Sequence, residues 1–178
     1  MPHIIHIFGG SGSGTTTLAS FLAQKTGFAH MDSDDYFWLP TDPPFTEKRA
    51  PDERVAMMRK DIEKHGDVVI SGSLCGWGDG LIPSFTLAVR LVIDPETRLA
   101  RLRKREYERF GERIGEGGDM EKIHRNFMAW AARYDTDDPS VRSRAEHDMW
   151  QKQLLCPLIV LDGAETLEKN AQKIAASM

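Results

Sequence analysis

Short apolar runs alternate along this chain with longer stretches of helical periodicity. The β-branched run HIIHIF (3–8) ends in glycines and predicts a buried strand. After it, Leu18, Phe21 and Leu22 fall at helical spacing, and Gly27 supplies a stop. FAHM (28–31) predicts a second strand, and residues 36–51, rich in proline and aromatics, a loop. Pro51, with Asp52 and Glu53 beside it, opens a helix that closes on Gly66. DVVIS (67–71) and LAVRLVI (87–93) predict strands on either side of the loop GSLCGWGDG. A long helix starts near Pro95 and breaks at GERIGEGG. Asp119 is the expected N-cap of the next, which carries Met120, Ile123, Phe127, Ala131 and Tyr134 at helical spacing. Another helix is expected from Asp138-Pro139 to about residue 153, then a strand LIVLD (158–162) and an amphipathic helix with Leu167, Ala171 and Ile174.

Alternation of this kind implies an α/β domain: a parallel sheet with helices on both faces. Ligands of such sheets sit beyond the carboxyl ends of the strands. The glycine-rich stretch 9–17, the acidic cluster at Asp32, Asp34 and Asp35, and the loop 72–80 all follow strands, and so converge on one edge. A length of 178 residues fits one domain, 1–178.

Composition narrows the function classes. A formal charge of −4 and a pI of about 5.9 argue against a general nucleic-acid binder. Cys75 and Cys156 are far apart and lack metal-ligand spacing, so free thiols in a reducing compartment are expected. The N-terminus lacks the basic and apolar regions of a signal peptide. The longest apolar runs fall short of the roughly 20 residues a membrane span needs. A cytoplasmic protein with no membrane partner is expected.

The stretch GGSGSGTTT (9–17) carries the strongest chemical signal. Gly9, Gly14 and Thr16 match the phosphate-binding pattern G-x-x-x-x-G-K-[ST], but Thr15 occupies the lysine position. Between a strand and a helix, the backbone N–H groups of Gly9, Gly10, Ser11, Gly12, Ser13, Gly14, Thr15, Thr16 and Thr17 can curl around an anion at a helix N-terminus. Thr16 is the expected Mg2+ ligand. Threonine cannot follow the charge that develops on a transferring phosphate, so fast chemistry needs a cation from elsewhere.

One source is the segment Arg98–Arg113, which holds seven cations against three anions. Arg101, Arg105 and Arg109 share a helix face, and Arg113 follows in a glycine-flanked segment. Either this is a lid closing over phosphates (108–120), or a solvated face with local Arg–Glu pairs. Asp32, Ser33, Asp34 and Asp35 follow the second strand. Asp32 would order metal-bound water and Asp34 would orient or deprotonate an acceptor; alternatively they are helix-capping or turn-forming aspartates. Tyr36, Phe37, Trp38, Phe45 and Trp77 would line an acceptor pocket, or simply pack; Lys48, Arg49 and Arg54 would grip an acidic acceptor, or face solvent. The six histidines form no ligand or triad pattern.

The loop 9–17, the DSD after the second strand, the arginine helix and the LDG at 161–163 together resemble the P-loop kinase superfamily, near the nucleoside-monophosphate, shikimate and gluconate kinases. The loop is also similar to sequences with GSGTTTL labelled adenylate kinase-like or AAA-type ATPases. The resemblance implies a five-stranded sheet of order 2-3-1-4-5, an acceptor-binding segment at 36–66, and use of ATP with Mg2+. It implies phosphate contacts from residues such as Arg101 and Arg105. Two departures stand out: Thr15, and Ser71-Gly72 where many relatives carry an acidic residue. Three readings follow. One is an ATP-dependent kinase of an unidentified small molecule. The second is a nucleotide-binding protein with little catalysis. The third is an enzyme that recognises a different phosphorylated ligand.

Overall fold

The computed structural model describes residues 1–178. Strands β1 (Ile4–Gly9), β2 (Ala29–Asp32), β3 (Val68–Ser71), β4 (Leu87–Val92) and β5 (Leu158–Asp162) form one parallel sheet. Its order is β2-β3-β1-β4-β5, as the resemblance implied. Seven helices surround it: α1 (Thr15–Thr26), α2 (Ser33–Phe37), α3 (Pro51–His65), α4 (Pro95–Phe110), α5 (Glu121–Ala132), α6 (Arg144–Trp150) and α7 (Leu167–Ala175). None is long and apolar enough to cross a membrane.

The apolar runs are continuous because both sheet faces are covered. Successive β1 side chains point to opposite faces. Ile5 and Ile7 join Leu18 and Leu22 of α1 and Ile174 of α7 in one core layer. Ile4 and Phe8 join Met58 and Ile62 of α3 and Trp150 of α6 in the other. The central strand β1 thereby delivers the glycine loop to the middle of the sheet's carboxyl edge.

The acidic cluster caps a helix: Asp32 Oδ1 accepts from the Asp34 N–H at 3.0 Å at the start of the short helix α2. Two local expectations are corrected. Asp119 does not cap α5; both its oxygens accept from Arg113, and Met120 stands at the cap position. The helix expected from Asp138 starts only at Arg144, capped by Ser143 Oγ, which accepts from the Glu146 N–H at 3.1 Å. Asp138 instead accepts from the Ser140 N–H at 2.8 Å, closing a local turn that competes with helix.

Two histidines belong to the core. His6 packs on Phe8, Phe85 and Trp150, and its Nε2 lies 2.8 Å from the Gly72 carbonyl. His147 bridges the Tyr134 hydroxyl at 2.7 Å and Ser73 Oγ at 3.1 Å. Burial lowers His6 to about 4 and, with Arg90 adding, His147 to about 3. Both are neutral in both states above the ordinary histidine value. Below it the unfolded chain takes up protons that the folded chain resists, so stability falls with falling pH. The unfolding free energy is expected to drop from pH 6.5 towards pH 4 by up to about 1.4 kcal/mol per pH unit per histidine, and the thermal unfolding midpoint to fall with it. A midpoint unchanged between pH 7 and pH 5 would refute this account.

Candidate phosphate-binding site

The loop between β1 and α1 is built for close approach. Gly12 has φ +88° and Gly14 φ +99°, the left-handed region that glycine alone enters freely. A Cβ on Gly12 would also lie 2.5 Å from the Arg98 carbonyl oxygen. Arg98 is 1% exposed beneath the loop. It donates to the carbonyls of Ser11 (3.0 Å) and Ala131 (2.9 Å) and to Asp135 (3.1 Å). In a planar trans peptide the C=O and the following N–H point in opposite directions. Holding the Ser11 carbonyl on Arg98 therefore aims the Gly12 N–H away from it. At the loop's end the first N–H groups of α1 have no intrahelical partner. Backbone donors and the helix field thus face the same cleft.

That cleft measures about 1060 Å³. Its floor is Gly9–Leu18. One end is formed by Asp32, Asp34, Phe37, Trp38, Lys48 and Arg142, and the other by Gly163, Glu165, Thr166, Leu167 and Asn170. Arg101, Arg105, Arg109 and Phe110 of α4, with Phe127 and Trp130 of α5, also line it.

At its foot, Thr16 Oγ1 donates to Asp32 Oδ2 at 2.9 Å. A hydroxyl and a carboxylate side by side are the hard oxygens Mg2+ prefers, and they fit a metal held mainly by phosphates and water. No group of three His, Cys, Asp or Glu side chains offers an all-protein cage. Asp34 keeps an open face, but that face looks into the cleft and protein surrounds the rest. Burial raises its pKa, the Asp32 carboxylate raises it further, and Arg142, Arg105 and a hydrogen bond from Trp38 pull it back.

The α4 arginines differ in their partners. Arg101 Nη1 donates to the Gly163 carbonyl at 3.0 Å and lies 3.9 Å from where a Gly14 Cβ would stand, so its charge sits over the loop without a counter-anion. Arg105 is paired with the buried Glu106 at 2.8 Å. Arg109 sits against the rings of Phe45 and Phe110, at 6.0 and 5.8 Å. Arg113 lies outside the cleft lining, fixed by Asp42 (2.7 Å) and Asp119 (2.6 Å). Three further expected residues also fall outside the lining. Arg49 Nε donates to the Tyr36 carbonyl. Trp77 donates to the Ser73 carbonyl and packs on the core. Arg54 is buried behind Phe37, its guanidinium 3.9 Å from the ring centre.

Arg142 was not foreseen. It lines the cleft 5.8 Å from the Phe37 ring and 5.9 Å from Trp130, and no carboxylate pairs with it. Within an expected helix it looked like any solvated arginine. Only the turn at 138–143 turns it inward.

Sheet order, glycine loop and cleft define a P-loop nucleotide-binding α/β protein. The chain belongs to the AAA domain family, whose model matches residues 5–124. It is 38% identical over 170 residues to the uncharacterized protein YqaC of Bacillus subtilis (strain 168), covering 96% of this chain and 94% of that one. It is 34% identical over 113 residues to a cytidylate kinase of Archaeoglobus fulgidus, covering 57% of this chain and 61% of that protein. Among solved structures it is similar in fold to a shikimate kinase from Bacteroides thetaiotaomicron, with a TM-score of 0.59 at 17% identity, covering 99% and 98% of the two chains.

Proposed function

We propose that this chain is an ATP-dependent kinase of a small anionic molecule. The observation that carries the proposal is the juxtaposition, in one cleft, of a phosphate loop, the Thr16–Asp32 pair and Asp34 beside the unpaired Arg142. The loop holds the nucleotide phosphates. Thr16 and Asp32 would hold Mg2+, which would neutralise phosphate charge. Asp34, made more basic by burial, accepts the proton of an acceptor hydroxyl. Arg101 and Arg109 supply the charge that Thr15 lacks, and Arg105 reaches the phosphates from its pairing with Glu106. The segment 108–120 acts as a lid, with Arg113 fastening it to Asp42 at the edge of the acceptor-binding segment 36–66.

Phe37 is surrounded by three cations: Arg54 at 3.9 Å, Arg142 at 5.8 Å and Lys48 at 5.8 Å. None of these is joined to a carboxylate within salt-bridge distance, and Arg142 and Lys48 line the cleft. Such a group, facing one aspartate, calls for an acceptor bearing a carboxylate or phosphate as well as a hydroxyl. Names among the relatives fit this class, cytidylate kinase and shikimate kinase included.

The test is a screen of nucleoside monophosphates, sugar acids and neutral polyols with radiolabelled ATP. A phosphorylated acid is expected. For the product found, Arg142→Met should raise the acceptor KM about tenfold or more while the ATP affinity stays within twofold, as loss of one charge-assisted contact requires. Tight ATP binding with no product from any acid would refute the kinase reading. It would favour the second one, a nucleotide-holding protein whose catalysis was lost with the lysine, for which Thr15 is the supporting observation.

A further inference from the structure

We propose that the acceptor carries a planar ring as well as its acid, and that Trp130 and Phe127 of α5, with Phe37 of α2, hold that ring. The inference deepens the kinase reading above and rests on it, since that reading makes the Asp34 end of the cleft the acceptor's.

This end of the cleft is walled by rings. Phe127 and Trp130 stand three residues apart on α5 and so share a helix face. Their centroids are 5.8 Å apart, their planes lie 33° from parallel, and both line the cleft. A second group is a chain of edge-on contacts: Phe37 to Trp38 at 4.8 Å, Trp38 to Phe45 at 5.9 Å and Phe45 to Phe110 at 6.4 Å. These rings line the cleft too. No ring of one group touches a ring of the other. The Arg142 guanidinium spans them, 5.8 Å from Phe37 and 5.9 Å from Trp130. One face of Phe37 is taken by Arg54, at 3.9 Å from the ring centre. Arg54 lies outside the lining, so the side of Phe37 that looks into the cleft is the side left open.

Half-buried rings around an open cleft gain from being covered. A flat ring laid against Trp130 is favoured by the apolar area it removes from water and by offset or edge-on stacking. An acid joined to that ring falls on Arg142, where the two groups meet. The polar side chains here are few: Asp34, Lys48 and Arg142, with Ser33 and Ser73. Ser73 Oγ is already engaged by His147 Nε2 at 3.1 Å. Asp34 serves one hydroxyl and the two cations serve one acid. A sugar acid would turn its remaining hydroxyls against ring faces, and each hydrogen bond to water lost in that way is unfavourable. A planar ring joined to an anion has no such loss. Aromatic hydroxy acids and nucleoside monophosphates share that chemistry, and the test separates them.

Two matched pairs of probes isolate the ring: phenyllactate against lactate, and CMP against ribose 5-phosphate. Each pair keeps the hydroxyl and the acid and removes the ring. Binding is measured by calorimetry in the presence of Mg2+ and a non-hydrolysable ATP analogue. In at least one pair the ringed member is expected to bind about tenfold more tightly or better. A preference in the first pair assigns an aromatic hydroxy acid, and one in the second a nucleoside monophosphate. Trp130→Leu should remove most of the preference by weakening the ringed member, with the ringless one unchanged within twofold. Trp130→Phe should keep it. Affinities within twofold in both pairs would overturn the inference, as would binding of none of the four probes. A preference unchanged in a folded Trp130→Leu protein would overturn it as well; if that variant does not fold, the wild-type comparison decides. Phosphorylation of a sugar acid without any preference for a ring sinks this inference and leaves the kinase reading standing. Ring-selective binding with no transfer from ATP to any bound probe keeps the ring site and refutes the kinase.

Discussion

Replacing Asp34 by asparagine is expected to lower phosphoryl transfer by about 10²–10⁴-fold, the range for removal of a positioned general base, with ATP affinity unchanged within a few-fold. The substitution nearly preserves shape, and the α2 cap survives it because the cap uses the Asp34 backbone N–H on Asp32. The Thr16–Asp32 pair also remains, so the metal and phosphate contacts are not the ones removed. What disappears is a carboxylate whose basicity is raised by burial and by Asp32, yet kept ionisable by Arg142, Arg105 and Trp38. A raised pKa makes a better proton acceptor, but it also means that activity falls as the pH is lowered through that pKa. The wild-type profile of kcat should therefore carry an acid limb above the ordinary aspartate range, and Asp34→Asn should lack it. Residual activity within threefold of wild type, or an acid limb that persists in the variant, would remove Asp34 from the chemistry.

The sheet was legible because its information is local. Five short apolar runs, four of them next to a glycine, and helices opened by Pro51 and Pro95, need no tertiary knowledge, and the glycine loop is a pattern in its own right. Errors arose where side-chain hydrogen bonds compete over a few residues. Asp138 holds a turn in place of a helix, and Asp119 is drawn to Arg113. The acceptor end was the least legible part. Arg142 comes from a turn distant in sequence from Asp34, and only the packed fold sets them together. Conversely Arg49, Arg54, Trp77 and Arg113 were suggestive by residue type, but carbonyls, rings and carboxylates within the fold claim them.

Arg101→Met is expected to lower kcat by about 10²–10³-fold, and Thr15→Lys placed on that background to restore a large part of the loss. The placement of the cleft's other cations leaves Arg101 the largest share of the charge that Thr15 lacks. Arg105 is paired with Glu106, Arg109 leans on Phe45 and Phe110, and Arg142 and Lys48 stand beside Phe37 at the acceptor end. Arg101 lies over the loop, where the missing lysine would have reached, and its anchor is the neutral Gly163 carbonyl. A charge-assisted contact contributes about 1.5–3 kcal/mol, and one made chiefly as charge develops appears in kcat rather than in nucleotide affinity. The backbone donors of 9–16 are untouched by either substitution, so ATP should still bind in every variant. In the wild-type background Thr15→Lys should change turnover less than about fivefold, because a cation already serves. A gain of 100-fold or more there would mean that no cation serves and that the parent is a nucleotide holder, which is how Thr15 separates the two readings. Should Arg101→Met retain turnover within threefold of wild type, the compensating charge is not Arg101, and Arg109 becomes the residue to replace.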